Sequence, residues 1–265
     1  MRALSTQFRS EPIAAPNPSK KHKSDVNIFH GGPFAAIYKE HGTEPMPPLN
    51  RYHQGECWVE QNKTYRPSKF FNRDGSLKEG AAAALEKLNQ CWKDNITVLV
   101  QDGRDLQHLE ALKGTHTLKF GPEFNQPLDH SLSNLTNVTT LAFGENFNHP
   151  LGDSLNNLTN LTTLESGRDF NQPLDHSLDN LTNLTSLTFG YLFNQPLGHS
   201  LDNLTNLTTL TFGWAFYQDL DDSLDNLTNV TTLKFPRLDK PLGDSLKNLT
   251  NLTSLTRWVV WSCAP

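Results

Sequence analysis

The sequence predicts a mainly β solenoid of 23-residue coils, with a small α+β region that caps its N-terminal end. Three observations lead to this prediction. Phenylalanines and leucines each recur at intervals of 23 residues, the spacing of apolar residues within a unit falls from three to two as in a short strand, and a glycine follows five of the strands. The recurring residues are Phe124, Phe147, Phe170, Phe193 and Phe216, and Leu118, Leu141, Leu164, Leu187, Leu210 and Leu233.

Within one unit, Leu132–Leu151, the pattern predicts a direction for each side chain. Leu141 and Phe143 point inward and Ala142 points outward, because neighbouring residues of a strand face opposite sides. Gly144 then permits a turn that a side chain would hinder. About seven apolar side chains per coil point inward, and at about 2 kcal/mol each they contribute about 14 kcal/mol before the cost of ordering the chain. One coil therefore does not fold alone, whereas six stacked coils do.

Changes in composition divide the chain into five segments. Pro, Ser and Lys are abundant in the first, short extended runs fill the second, and helical spacing begins in the third. The predicted segments are a disordered leader (1–27), short β-hairpins (28–75), an α/β N-terminal cap (76–117), a six-coil solenoid (118–254) and a C-terminal cap strand with a tail (255–265). A solenoid needs an atypical unit over its first coil, and the third segment lies at that position.

Local signals predict the elements of the second and third segments. The hairpin segment contains the extended runs Phe34–Tyr38, Glu56–Val59 and Lys69–Asn72 and a turn at Asp74-Gly75. In the cap, Ser76 with Glu79 predicts a capping box that starts a helix reaching to about Asp94. A strand over Ile96–Val100 and a short helix over Leu106–Leu112 follow.

Charge and cysteine content restrict the partners and the location. The formal net charge of −5 divides into +3 for residues 1–117 (16 basic, 13 acidic) and −8 for residues 118–265 (7 basic, 15 acidic). An acidic solenoid repels a phosphate backbone, so we expect no nucleic-acid partner. The three cysteines do not form a disulfide framework, and no signal peptide or membrane span is visible in the sequence. We expect an intracellular, cytoplasmic protein with no membrane contact.

Two files of asparagines run along the repeats. One consists of Asn134, Asn157, Asn180, Asn203, Asn226 and Asn248, and the other runs from Asn137 to Asn251. Because stacked coils lie about 4.8 Å apart, the amides have two interpretations. They bond to one another along the stack, or they satisfy backbone groups at the corners. The repeat unit also contains Asn-x-Thr triplets, twelve in all. We interpret them as structural and not as glycosylation acceptors.

The repeat is interrupted at two places. Ser166 occupies a position that phenylalanine holds in the other coils, which predicts a packing defect there. The last coil is one residue short between Phe235 and Leu242. The residues that follow it, Trp258, Val259, Val260 and Trp261, no longer fit the repeat pattern. This apolar tail has two interpretations, a lid on the last coil or an edge for self-association.

The phrase itself resembles a known repeat family. The run LTFGYLFNQPLGHSL at Leu187–Leu201 resembles the FNIP-type leucine-rich repeats of slime moulds and giant DNA viruses, and its FNQPL core is similar to the repeats of BspA-like surface proteins. The resemblance covers about residues 118–255 and implies a leucine-rich-repeat fold. It departs from the usual FNIP unit, which is one residue shorter and has Ile after the Pro. FNIP proteins often begin with an F-box, which implies a role as substrate adaptor of a ubiquitin ligase.

The sequence offers little for catalysis. It lacks a phosphate-binding glycine loop, a nucleophile elbow and a spaced metal motif, so we expect no enzyme activity, cofactor or metal. One column contains potential metal ligands, namely His130, Asp153, His176, His199, Asp222 and Asp244. Because stacked side chains run parallel and do not converge, we interpret this column as surface.

A second column points to binding. The two residues after the turn glycine differ from coil to coil, while most other positions hardly change. The candidate protein-binding residues in this column are Glu145, Arg168, Tyr191, Trp214 and Arg237. Aromatic residues beside arginines are typical of binding hot spots. We therefore predict a non-enzymatic scaffold that binds another protein, with a ubiquitin-ligase adaptor and a structural or virion-associated protein as alternatives.

Overall fold

The computed structural model describes residues 26–28, 37–39, 64–90, 97–235 and 242–257. These residues belong to two units, Met1–Gly42 and Thr43–Pro265. In the first unit, β1 (Val26–Ile28) and β2 (Ile37–Lys39) pair antiparallel, with Val26 opposite Lys39. The expectation that residues 26 and 27 belong to a disordered leader is therefore wrong, because β-branched residues alternate with a polar one in this short strand. The predicted run Glu56–Val59 lies outside the described residues.

The second unit contains a nine-stranded parallel sheet in which each strand pairs with its neighbours in sequence. The strands are β3 (Thr64–Tyr65), β4 (Thr97–Val100), β5 (Thr117–Phe120), β6 (Thr140–Ala142), β7 (Thr163–Glu165), β8 (Ser186–Thr188), β9 (Thr209–Thr211), β10 (Thr232–Phe235) and β11 (Ser254–Arg257). The helices are α1 (Ala81–Gln90) and α2 (Gly103–Gln107), with 3₁₀ turns at Pro67–Phe70 and Leu109–Leu112. One strand per coil and a strictly sequential parallel order define a β solenoid, so the predicted fold class is confirmed.

The core is a set of columns that run along the solenoid. The leucine column from Leu118 to Leu233 is at most 3% exposed at every coil. Beside it, the rings of Phe147, Phe170 and Phe193 stack in sequence with centroids 6.1 Å apart and interplanar angles of 3–5°. The rings of this column thus stack on their equivalents in the neighbouring coils. The inward positions predicted from the sequence are confirmed.

A second phenylalanine column is interrupted at Ser166, as the sequence predicts. Phe143 stacks on Phe120 at 5.1 Å and Phe189 stacks on Phe212 at 5.5 Å, but no ring joins the two pairs. Ser166 is only half-buried, and its hydroxyl accepts a hydrogen bond from the Gly190 N–H at 2.8 Å. The position therefore has a polar role that the sequence pattern does not indicate.

The sheet begins earlier in the chain than the sequence predicts. β3 lies in the segment expected to form hairpins, yet it pairs in parallel with β4, with Thr64 opposite Thr97. Of the run Lys69–Asn72, predicted to be extended, the first two residues lie in a 3₁₀ turn over Pro67–Phe70, because Pro67 fixes the backbone for it, whereas Phe71 is extended as predicted. The solenoid unit thus starts at Thr64 or before it. We call residues 64–117 the cap and residues 118–235 the coils.

The predicted helix start is wrong, although the turn beside it is confirmed. Asp74-Gly75 forms the expected turn, with a positive φ of 85° at Gly75 and an antiparallel bridge between Phe71 and Leu77. Ser76 does not cap α1, because its N–H and hydroxyl both donate to Asp74 Oδ1. Gly80, with a φ of 75°, keeps the chain out of helix until Ala81.

A buried carboxylate, that of Asp105, joins two segments of the cap. Asp105 is fully buried, and its oxygens accept hydrogen bonds from Arg66 Nε at 2.8 Å, Ser68 N–H at 3.1 Å, Ser68 Oγ at 2.6 Å and Gln101 N–H at 2.9 Å. Arg66 also pairs with Asp102 at 3.0 Å. A buried charge is tolerated only when it is paired and hydrogen-bonded, and Asp105 meets both conditions. The contact ties the segment after β3 to α2.

Candidate functional site

The turn glycines set how closely the coils stack. A Cβ added to Gly190 would lie 1.8 Å from the carbonyl oxygen of Gly167, and one added to Gly213 would lie 1.7 Å from that of Gly190. The glycines that follow β6, β7, β8 and β9 are therefore required by contact between neighbouring backbones. For Gly144 the sequence predicts a need for freedom to turn. The structure shows a different reason, because a Cβ added to Gly144 would lie 1.8 Å from the carbonyl oxygen of Gly121.

A polar ladder joins the coils beside the buried phenylalanine rings. Oδ1 of Asn148 accepts the N–H of Asn171 at 2.9 Å, and Oδ1 of Asn171 accepts the N–H of Asn194 at 2.9 Å. Gln195 Nε2 donates to the carbonyl oxygen of Asn171 at 3.0 Å. The last described rung is the N–H of Tyr217, which donates to Asn194 Oδ1 at 2.8 Å. This ladder explains the Phe-Asn-Gln motif. The ladder was not predictable from the repeat pattern, which shows only that the asparagine and glutamine recur.

All six amides of the file from Asn137 to Asn251 donate to a backbone carbonyl of the preceding coil, and so do Asn157 and Asn203 of the other file. Asn183 Nδ2 donates to the Thr159 carbonyl at 2.8 Å, and Asn206 Nδ2 donates to the Thr182 carbonyl at 2.8 Å. The interpretation as an amide-to-amide ladder is therefore wrong for these files, whereas backbone satisfaction is confirmed. The amides reach the previous coil at a corner where its carbonyls have no strand partner. Attaching a glycan to such a nitrogen would replace one of its two hydrogens beside the neighbouring coil.

Four of the five candidate binding residues lie in one row, which we call the ridge row: Pro122, Glu145, Arg168, Tyr191 and Trp214. Backbone hydrogen bonds hold this row in register. The Leu192 N–H donates to the Arg168 carbonyl at 2.9 Å, and the Ala215 N–H donates to the Tyr191 carbonyl at 2.9 Å. Successive side chains of the row therefore stand about one strand spacing apart, about 4.8 Å. The fifth candidate, Arg237, lies outside the described residues.

Exposed apolar side chains concentrate at one end of the ridge row. Tyr191 is 47% exposed, Leu192 41%, Trp214 37% and Tyr217 50%. We call these four residues the aromatic ridge. The only other exposed large apolar residues in the described part of the chain are Leu77 and Leu255, one in the cap and one in the last coil. Four of the six exposed large apolar residues in the described part of the chain thus belong to two neighbouring coils.

Charged groups border the aromatic ridge. The Arg168 guanidinium lies 5.6 Å from the centre of the Tyr191 ring, within the range of a cation–π contact. Glu145 and Asp169 precede the ridge in adjacent coils and are half-buried, and Glu123 accepts a hydrogen bond from Asn146 Nδ2 at 2.8 Å. The border on the N-terminal side is therefore acidic, with Arg168 as its one described cation.

Two members of the aromatic ridge were not among the candidate residues. Leu192 and Tyr191 are the two variable residues after the turn glycine Gly190, and only Tyr191 was chosen as a candidate. Tyr217 replaces the ladder asparagine that stands at Asn125, Asn148, Asn171 and Asn194 in the earlier coils. The signal for Tyr217 was therefore present as a break in an otherwise constant column.

The sheet face beside the ridge row carries one perturbed carboxyl. Burial raises the pKa of Glu165, and the charge of Lys119 opposes this shift. Ala142 lies between the two in register and is 4% exposed, although the alternation predicted it to point outward to solvent. We attribute its burial to these two longer side chains, whose charges interact across it.

The predicted His and Asp column lies at an exposed corner. His176 and His199 are exposed, and each pairs with an aspartate three residues later, Asp179 at 2.9 Å and Asp202 at 3.0 Å. No group of three potential metal ligands occurs in the described part of the chain. No helix among the described residues is long and apolar enough to cross a membrane.

The last described coil is less well covered than the others. Leu255 occupies the leucine column but is 44% exposed, whereas Leu233 in the preceding coil is fully buried. β11 pairs only with β10 in the described sheet. The tail Trp258, Val259, Val260 and Trp261, predicted as a lid or an association edge, lies outside the described residues.

The chain has distant similarity to several solved structures. No model of a protein family matches the chain, and no curated protein matches it. Among solved structures, internalin C2 of Listeria monocytogenes is 23% identical, with a TM-score of 0.46 over 66% of this chain and 74% of the internalin. A complex of TLR13 with ssRNA13 gives 17% identity and a TM-score of 0.49 over 71% of this chain and 31% of that one. Internalin F of L. monocytogenes gives 18% identity and a TM-score of 0.36 over 73% and 72%. With TM-scores below 0.5, the fold rests on the observed sheet and not on these neighbours.

Proposed function

We propose that this protein is a non-enzymatic scaffold that binds another protein through the aromatic ridge and the adjacent ridge row. The observation that carries the proposal is the concentration of Tyr191, Leu192, Trp214 and Tyr217 on two neighbouring coils, where each is at least 37% exposed. Tyrosine and tryptophan are enriched in binding hot spots, and both occur here. An exposed apolar patch with a polar border is typical of an interaction site.

The scaffold keeps the patch rigid. The ridge residues are fixed by backbone bonds to the next coil, and Phe193 and Phe216, which follow them in sequence, are at most 1% exposed. A partner therefore meets a surface that is already ordered, which lowers the entropic cost of binding. Glu145, Arg168 and Arg237 belong to the proposed site as its charged members.

The experiment is affinity purification with the intact chain beside a Tyr191→Ala/Trp214→Ala double variant. A matched control carries Thr182→Ala/Thr205→Ala, which removes exposed side chains from two neighbouring coils away from the ridge. We expect the control to retain the recovered partner and the ridge variant to lose at least nine-tenths of it. Equal recovery with both variants, at unchanged melting temperature, would show that the ridge is not the binding site.

We further propose that the repeats belong to the FNIP-type or BspA-like group and that the protein works inside cells, including cells infected by a giant virus. The support is the recurring Phe-Asn-Gln motif, whose asparagine and glutamine form the ladder. Asparagine nitrogens engaged in bonds to backbone also fit an unglycosylated protein. The acidic border of the ridge disfavours a nucleic-acid partner.

The adaptor alternative needs a docking surface on residues 76–117. In α1, Leu85 and Leu88 are buried in the core, which leaves Ala82, Ala83 and Glu86 exposed. A pull-down with the ligase core subunit distinguishes this alternative from the scaffold, because only the adaptor would bind that subunit through the cap.

A further inference from the structure

We infer that the partner presents a lysine or arginine side chain to the aromatic ridge, within a protein segment of net positive charge. The inference rests on the proposed function, because it names the chemistry of the partner that the same site takes. Three features of the molecule lead to it, and each concerns a different part of the ridge surface.

The first feature is a cation already bound to the ridge within the chain. Arg168 places its guanidinium 5.6 Å from the centre of the Tyr191 ring, one coil further along. The face of an aromatic ring carries negative potential, and the contact shows that the spacing of the coils suits a cation over a ring. The geometry required for cation recognition is thus built into the repeat.

The second feature is the next ring along the row. Trp214 follows Tyr191 in register, because the Ala215 N–H bonds to the Tyr191 carbonyl at 2.9 Å. Tryptophan has the strongest cation–π attraction of the three aromatic residues. Trp214 is 37% exposed, and no cation among the described residues lies over its ring. A partner's ammonium or guanidinium group would repeat on Trp214 the contact that Arg168 makes on Tyr191.

The third feature is the charge around the ridge. In the described part of the ridge row and the row beside it, the carboxylates are Glu123, Glu145 and Asp169, against the single cation Arg168. Residues 118–265 as a whole carry 15 acidic and 7 basic residues. Complementary charge speeds association and rejects partners of like charge. An acidic segment would be repelled at this surface, and a neutral one would gain nothing from the carboxylates.

The test selects peptides from a random displayed library on the full-length chain and counter-selects them on the Tyr191→Ala/Trp214→Ala variant. The selected peptides are synthesised with a fluorescent label, and their Kd values are measured by anisotropy at 50 mM and 500 mM salt. We expect the peptides that depend on the ridge to carry more Lys and Arg than the unselected library. We also expect their Kd to rise at least tenfold on the double variant and at the higher salt concentration.

Two charge variants should change the affinity for the selected peptides in opposite directions. This separates recognition of a cation from general apolar adhesion. Glu145→Gln/Asp169→Asn should weaken the selected peptides about threefold or more, since it removes the acidic border. Arg168→Gln should tighten them about threefold, because it removes a competing cation from Tyr191. The Thr182→Ala/Thr205→Ala variant serves as the unchanged control. Melting temperatures confirm that each variant is folded.

The outcomes distinguish the inference from the proposed function. Ridge-dependent peptides that are neutral or acidic, or that bind more weakly to the Arg168→Gln variant, would overturn the inference and leave the scaffold function in place. A selection that yields no ridge-dependent peptide would overturn the proposed function and the inference with it.

Discussion

The cap and the coils satisfy their polar groups in different ways. In the cap, one buried carboxylate, Asp105, gathers four donor groups from Arg66, Ser68 and Gln101. In the coils, neutral bonds such as Asn194 N–H to Asn171 Oδ1 recur once per repeat. Fastening in the cap is therefore concentrated in a single residue, whereas in the coils it is distributed over equivalent positions.

This difference determines what a substitution does. A change at a unique cap contact has no equivalent elsewhere to compensate for it. A change in one coil affects mainly its two neighbours, because each repeat contacts only adjacent repeats. The coils also contain their own controls, since the same residue type occurs in the same coil with and without a contact.

The largest effect is expected where the backbones of the coils touch. Gly190→Ala places a Cβ 1.8 Å from the Gly167 carbonyl oxygen, so the coils must separate. We expect a loss of more than about 4 kcal/mol in the free energy of unfolding, measured by urea denaturation. Gly198→Asp is the control, because Gly198 has open space and a φ of 48°, and Asp175 adopts a φ of 43° at the equivalent position. A small effect of Gly190→Ala would contradict the close stacking.

The next effect concerns the cap. Asp105→Ala leaves the Arg66 guanidinium, whose side chain is 13% exposed, without its buried partner. Breaking a buried ion pair from one side costs about 3–5 kcal/mol. Hydrogen exchange should show the loss first in β4, within the cap, and in β5 beside it. Asp102→Ala is the milder control, since the Asp102 side chain is 52% exposed. Equal losses for both variants would argue against a dominant role of Asp105.

A smaller effect is expected in the ladder of the coils. Asn171→Ala removes the acceptor for the Asn194 N–H and one of the bonds of Gln195, and each neutral bond contributes about 1 kcal/mol. We expect a loss of about 1–3 kcal/mol by thermal unfolding. Asn180→Ala, in the same coil, is the control, because its exposed side chain makes no described hydrogen bond. If both variants melt at the same temperature, the ladder does not stabilise the coils.

The smallest effect is expected at the interrupted phenylalanine column. Ser166→Phe joins the rings of Phe143 and Phe189, which gains about 2 kcal/mol from burial, but it removes the bond from the Gly190 N–H, which costs about 1 kcal/mol. We expect a net gain of about 1 kcal/mol, seen as a rise in melting temperature. Ser166→Ala separates the two contributions, because it loses the hydrogen bond without adding a ring. A lower melting temperature for Ser166→Phe would mean that the position does not point inward.

The coils were predictable in detail because their signal is local. The leucine spacing predicts inward side chains such as Leu141 and Leu164, and both are at most 3% exposed. The surface positions of the candidate site were predictable in part from variation between repeats, since Arg168, Tyr191 and Trp214 are exposed and Glu145 is half-buried. The same reasoning missed Tyr217, since the role of the asparagine that it replaces depends on a contact with the next coil.

The cap was predicted less well for a related reason. The two residues of β3 lie within the segment predicted to form hairpins, and only their pairing with β4 brings them into the solenoid sheet. The helix start at Ala81 depends on the positive φ of Gly80, which a capping-box pattern at Ser76 does not reveal. Unique segments offer no repetition from which a contact can be inferred.

The sequence by itself determined the period, the strand in each coil and the side of the sheet that each residue faces, because these depend on spacing along a few residues. Only the tertiary structure decided which groups meet across coils. The ladder joins Asn171 to Asn194, which lie 23 residues apart in sequence. The backbone of Gly190 contacts that of Gly167, also 23 residues away in sequence. The exposure of the aromatic ridge was also decided there, since how much of Tyr191 and Trp214 reaches solvent depends on how tightly their coils stack.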